Sequence, residues 1–256
     1  MGQSRLTAER SLPSRLWYDL VRRTIHVGGV LAYGLRHSGR RNIPQSGPVL
    51  VVSNHQSHFD PPLVGAGCPR RMNYLARETL FDIAPLGWLI RSLDAIPIDR
   101  EGLGLAGMRE SLRRLKRGEM VLIFPEGTRT RDGRIAPFQP GFTALAARSG
   151  AAILPVAIEG AYAAWPRWRK LPGPGTIHVQ YGLPLGPGEI TGRPERELVT
   201  EVEQRVRQCH ALLRRHPAFA RPRLSGAGLA LLTYDKPCQD VDLRQGHSGR
   251  EDFPLD

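Results

Sequence analysis

Cysteine is scarce in this chain: Cys68, Cys209 and Cys238 stand far apart among 256 residues, and no CxxC pair occurs. That pattern excludes a disulfide framework and a cysteine-rich zinc site, and a reducing compartment is the simplest reading. Lysine is equally scarce. Lys116, Lys170 and Lys236 are the three, so 33 of the 36 basic side chains are arginine. No apolar run approaches the roughly 18 residues that a transmembrane helix needs. The first fifteen residues hold Arg5, Arg10 and Arg15 around no apolar stretch, so no secretory signal is read there. No internal repeat is found. Acidic residues are the minority, 24 against 36 basic, and the net charge of +12 suits a polyanion: nucleic acid, an anionic lipid surface or a phosphorylated substrate. Charge alone does not choose among them.

What is present is enough for a core, with 41% hydrophobic residues. Residues 1–13 read as a polar lead. Over 14–36 the pattern is helical, with Trp17, Leu20, Val21, Gly28, Leu31 and Leu35 on one face and Asp19, Arg22, Arg23 and His26 on another. Such a helix either covers the domain core or lies in a membrane interface, with Trp17 and Tyr18 at headgroup level. Arg36 to Arg41 add a basic collar. Strands are expected at 48–53, 72–76, 93–98, 119–124, 151–158 and 176–181. Helices are expected from Pro61, over 85–92, 104–117 and 141–149, and as a long charged segment over 194–216. This alternation indicates an α/β fold: a single domain with a central mixed, largely parallel sheet flanked by helices, plus the N-terminal amphipathic helix at a membrane interface. The expected divisions are 1–13, the helix over 14–39, the domain over 40–219, and a poorly ordered tail over 220–256.

Three charged loops follow predicted strands: His55 to Asp60, Asp99-Arg100, and Glu126 to Arg129. Open α/β sheets bind ligands in the crevice beyond the strand C-termini, so the three loops are best explained together. His55 and Asp60, five residues apart, would lie about 140° apart on a continuous helix. A loop that folds back instead brings the carboxylate onto the imidazole, which leaves the other ring nitrogen free to take a proton. Each residue also has a plain reading. An isolated His55 can be a structural histidine, Asp60 the N-cap of a helix with Pro61 at its first position, Gly127 a turn glycine, and Arg129 and Arg131 solvated loop charges. His55, His58 and Asp60 suggest metal ligands only in isolation, since no further His, Cys or acidic cluster completes a site.

Asn54-His55-Gln56-Ser57-His58-Phe59-Asp60 resembles the NHxSxxD motif of the glycerolipid (lysophosphatidic acid) acyltransferase family, and Phe124-Pro125-Glu126-Gly127-Thr128-Arg129-Thr130 its FPEGTRS motif. Ile153-Leu154-Pro155-Val156-Ala157 is similar to the family's proline-containing apolar motif, and Phe138-Gln139-Pro140-Gly141 to its FKxG stretch, without the lysine. Leu93-Asp94-Ala95-Ile96-Pro97-Ile98-Asp99-Arg100 resembles the GxIFIxR-type motif, with Asp94 where glycine is usual and Pro97 where an apolar or aromatic residue is usual. The resemblance implies an O-acyltransferase that moves a fatty acyl group from a thioester to the free hydroxyl of 1-acyl-glycerol 3-phosphate. In that reading His55 is the general base and Asp60 its orienting partner. Arg100, Arg129 and the Glu126-Gly127-Thr128 loop bind the acceptor, with Glu126 orienting a hydroxyl. It implies no cofactor and no metal, acyl-CoA or acyl carrier protein as co-substrate, no nucleic-acid partner, and a peripheral or monotopic place on the cytoplasmic face of an anionic membrane. Two alternatives remain: another acceptor, such as glycerol 3-phosphate or a different lysophospholipid or lyso-aminolipid, or a non-catalytic lipid-binding protein.

Overall fold

A computed structural model describes residues 11–98 and 105–215. Helix α1 (Leu12–Tyr33) leads into strand β1 (Arg36–Ser38), then β2 (Val49–Ser53), α2 (Asp60–Ala66), β3 (Met72–Arg77), α3 (Ala84–Ser92) and β4 (Ile96–Ile98). There follow α4 (Leu105–Lys116), β5 (Met120–Ile123), α5 (Phe142–Ser149), β6 (Ala152–Glu159), α6 (Ala161–Ala164), β7 (His178–Tyr181), α7 (Pro187–Ile190) and α8 (Glu195–Arg215). The tail over 220–256 and Asp99-Arg100 lie outside the described residues.

The seven strands form one sheet in the order β1-β7-β6-β2-β5-β3-β4. β2 runs parallel to both β5 and β6, and β3 runs parallel to β5 and β4. β7 is antiparallel to β6, and β1 is parallel to β7. Five strands therefore end on the same edge of the sheet. Their short apolar runs, buried throughout in β2 and β5, are what a strand covered on both faces requires. Period two splits β2 between two cores. Leu50 and Val52 pack with Leu115, Phe142, Leu145, Leu198, Val202 and Val206 of α4, α5 and α8. Val49 and Val51 face the other side, with Leu63 and Val64 of α2 and with Leu35.

Four expectations are corrected here. The supposed basic collar is in part an edge strand, β1, paired with β7, so the sheet begins before residue 40. α1 begins at Leu12, inside the supposed polar lead. Its Trp17 and Tyr18 turn inward. Tyr18 is buried and its hydroxyl accepts from Met72 N at 3.0 Å, while Trp17 Nε1 donates to Ser92 Oγ at 2.9 Å. The face left in solvent carries Leu12, Leu16, Leu20, Val27 and Leu31 instead. The strand expected over 93–98 starts only at Ile96, because Asp94 adopts a left-handed conformation with φ of 58° and turns the chain out of α3. Aspartate tolerates that conformation better than most residues, and an ion pair of 2.6 Å to Arg71 holds it. Pro97 sits on β4, an edge strand, where a missing N–H is tolerated.

Candidate active site

The chain leaves β2 at Ser53 and crosses the sheet edge through Asn54 to Phe59. Burying the polar side chains of this loop is costly unless they are bonded, and these bonds define its shape. Asn54 Oδ1 accepts from Ile158 N at 2.9 Å while its Nδ2 donates to Ile158 O at 3.0 Å, copying a strand pairing with β6. Gln56 Oε1 accepts from Tyr162 N at 3.2 Å and its Nε2 donates to Glu159 Oε2 at 3.1 Å. Ser57 Oγ donates to Trp165 O at 2.8 Å.

Asp60 is fully buried. Its Oδ2 accepts from the backbone N–H groups of Gln56 and Ser57 and lies 2.7 Å from His55 Nδ1. An oxygen already accepting two amide bonds calls for a donor on the ring, so Nδ1 carries the proton and Nε2 keeps its lone pair. The carboxylate bonds backward into the loop rather than forward as a cap, and no side-chain cap bond starts α2; the N-cap reading of Asp60 is corrected accordingly. The His55 ring stacks on Phe124 at a centroid distance of 4.0 Å and stays 19% exposed.

The loop after β5 clamps the same histidine. Glu126 Oε1 accepts from His55 N at 2.7 Å, Oε2 accepts from Ala136 N at 2.8 Å, and Thr130 N donates to His55 O at 2.8 Å. With each carboxylate oxygen accepting one backbone amide, Glu126 braces the His55 loop. Burial chiefly, and the nearby charge of Asp60, push its carboxyl up to about 7, against the lowering effect of the two amide bonds and Arg207. Gly127 and Thr128 form the exposed tip of this loop. Gly127 has φ of 70°, so the turn itself calls for glycine.

Arg129 is half-buried, and its Nη1 is a buried donor with no hydrogen-bond partner among the described residues. Burial, then the positive charges of Arg167 and Arg77, push its pKa down. The exposed Arg77 and Arg167 thus lie within electrostatic reach of Arg129, a concentration of positive charge that an anion relieves. Arg77 and Arg167 are absent from the motif reading. Arg77 was within reach as the last residue of a parallel strand, whereas Arg167 comes from the turn after α6 and has no such signal. Arg100 lies outside the described residues. His58 is exposed, and its ring lies 5.2 Å from that of Trp165. Partial burial, then Arg129, His55 and Arg77, lower it to about 4. Among the described residues no three His, Cys, Asp or Glu side chains are grouped to hold a metal ion.

The structure therefore sets an oriented imidazole on the C-terminal edge of a mostly parallel sheet in an α/β fold, with the cationic Arg129 in the adjoining loop. The acyltransferase family model matches residues 34–159. The chain is 27% identical over 182 residues to the 1-acyl-sn-glycerol-3-phosphate acyltransferase of Bacillus subtilis, spanning 71% of this chain and 86% of that one. It is 37% identical over 158 residues to the enzyme of that name from Pseudomonas aeruginosa, spanning 58% of this chain and 59% of that one. Its fold is similar to the crystal structure of the 1-acyl-sn-glycerophosphate acyltransferase PlsC from Thermotoga maritima, with a TM-score of 0.71, 28% identity, and coverage of 83% of this chain and 87% of that one. The family model, these relatives and this structural neighbour together support membership of the glycerolipid acyltransferase family, and the relatives are named as O-acyltransferases.

Proposed function

We propose that this chain transfers a fatty acyl group from an acyl thioester to the free hydroxyl of 1-acyl-glycerol 3-phosphate, giving phosphatidic acid. The observation that carries this reading is the 2.7 Å His55–Asp60 pair beside the unpartnered Nη1 of Arg129. His55 Nε2 takes the hydroxyl proton as the oxygen attacks the thioester carbonyl. The C–S bond then breaks, and the thiolate leaves with the proton from the imidazolium. Asp60 holds Nδ1–H and stabilises the imidazolium. A thiolate is a good leaving group, so no acyl-enzyme is needed. Arg129, Arg77 and Arg167 bind the acceptor phosphate, together with Arg100. The donor is acyl-CoA or acyl carrier protein, and no resident cofactor takes part.

Among the described residues no helix is long and apolar enough to cross a membrane. α1 nevertheless presents Leu12, Leu16, Leu20, Val27 and Leu31 to solvent, each 54–70% exposed. This stripe lies in the interface of the cytoplasmic leaflet, where the acceptor is held. His55→Ala is expected to lose at least ~100-fold of the transfer rate, the scale of a general base. Near-normal thioester-dependent acylation by that variant overturns the reading.

A further inference from the structure

The turn after α6 carries a second cluster of exposed apolar and cationic side chains. Trp168 is 62% and Leu171 75% exposed, and Arg167, Arg169 and Lys170 interleave with them in solvent. Among the described residues no carboxylate pairs with any of the three cations. An exposed tryptophan is expensive in water, and here its ring is held rather than folded away. It meets Tyr162 edge-on at 5.3 Å, and Tyr162 Oη donates to Arg131 O at 2.8 Å in the loop that follows β5.

The base of the turn is fixed to the catalytic loop. Trp165 packs its ring 4.8 Å from Phe59 and 5.2 Å from His58, and its carbonyl accepts from Ser57 Oγ. Trp165 Nε1 donates to Arg169 O at 2.9 Å, and Gly173 N donates to Ala164 O at 2.8 Å, closing the turn on itself. Phe59 also meets Tyr33, near the end of α1, at 5.1 Å, so a row of rings joins α1, the His55 loop and this turn.

We propose that residues 165–171 form a second contact with an anionic bilayer surface, set at the mouth of the catalytic loop and separate from α1. Arg169 and Lys170 lie between Trp168 and Leu171, so neither meets a surface anion without drawing one of those apolar tips to the same depth. A headgroup layer supplies phosphate at the surface and apolar depth directly beneath it, which matches cations set beside apolar tips. The contact seats the site over the leaflet from which the acceptor is drawn. In that respect it rests on the acyl-transfer reading.

The test uses the full chain and vesicles of equal parts phosphatidylcholine and phosphatidylglycerol, floated at sub-saturating lipid. Arg169→Gln/Lys170→Gln is expected to bind about 25-fold less tightly, at roughly fivefold per charge. Trp168→Ala/Leu171→Ala is expected to bind at least about tenfold less tightly. Both variants keep the wild-type melting temperature. Both lose rate on vesicle-borne lysophosphatidate in proportion, while the rate on a short-chain, monomeric lysophosphatidate stays within about twofold, since neither pair touches the reacting groups. Unchanged flotation and unchanged vesicle rate overturn the proposal. So does an equal loss on the monomeric acceptor, which makes the turn part of the catalytic scaffold. A charge variant that floats normally but no longer binds an acidic acyl carrier protein assigns the turn to a protein partner and also overturns it. A wild-type chain that acylates neither acceptor refutes the acyl-transfer reading alone, and flotation still decides the turn.

Discussion

At the residue scale, the two buried carboxylates of the site do opposite things with similar bonds. Asp60 spends one oxygen on two amides and the imidazole, so its charge reaches the ring. Asp60→Asn is expected to lower kcat at least ~100-fold with little change in acceptor KM, because an amide that donates to Nδ1 imposes the wrong tautomer. A rise in KM with kcat intact would show that Asp60 serves binding instead. Glu126 is held at about 7 in the fold against an ordinary value of 4.5, so between those limits the native state keeps a proton that the unfolded chain has lost. Its contribution to stability is therefore fully present below about 4.5 and lost as pH rises through 7, by on the order of 3 kcal/mol. The urea midpoint of wild type is expected to fall relative to that of Glu126→Gln as pH rises across that window; a constant offset from pH 4 to 8 would refute the assignment. For the guanidiniums, Arg129→Ala and Arg77→Ala are each expected to raise acceptor KM about 10–100-fold, the cost of one charged hydrogen bond. Unchanged KM in either removes that arginine from the phosphate site. The pairing of His55 with Asp60 was legible because both lie in one short loop. The job of Glu126 was not, because it depends on two amides, one of them 71 residues away.

Elements were legible where burial is two-sided. β2, β5 and β6 are short segments rich in Val, Leu and Ile, the composition that a strand covered on both faces uses. The elements that sequence missed are those without an apolar signature: β1 is Arg-His-Ser at a sheet edge, and α6 and α7 have four residues each. α1 was found but its faces were only partly read: Leu20 and Leu31 of the expected apolar face lie in the exposed stripe, whereas Trp17 and Leu35 turn inward, because apolar residues occur around most of its circumference and periodicity cannot say which arc meets the core. One connection shows how narrowly the site is held. Gly160 ends β6 with φ of 88°, and a Cβ there would stand 1.8 Å from Thr176 O. Its neighbours Glu159 and Tyr162 both hold Gln56 in the His55 loop. Gly160→Ala is expected to cost roughly 3 kcal/mol or more, read as a shift in urea midpoint, and to lower transfer activity with it. Full stability in that variant would mean that the turn relaxes freely, and the claimed coupling to the loop would go with it.

At the scale of the whole molecule, the proposed membrane contact would draw on the +12 charge and on the apolar stripe of α1 by different routes. Charge draws the chain to an anionic leaflet over about a Debye length and is screened by salt, whereas apolar insertion is not. The stripe is separable from the fold because the opposite arc of α1 does the packing: Tyr18 and Gly29 are buried, while Leu16 and Leu20 are 69% and 58% exposed. Removing the two leucines therefore leaves the core untouched and takes from the membrane-bound state about 1.5–3 kcal/mol for each side chain that would have been fully inserted. Leu16→Ser/Leu20→Ser is expected to keep the wild-type melting temperature and to lose at least about 100-fold in vesicle affinity. The deficit should persist at high salt, where the electrostatic share has already gone. A large drop in melting temperature with vesicle affinity unchanged would place the stripe against protein rather than lipid. The salt dependence separates the two routes: if wild type and variant bind equally at low salt and are released together at high salt, charge alone holds the chain on the leaflet.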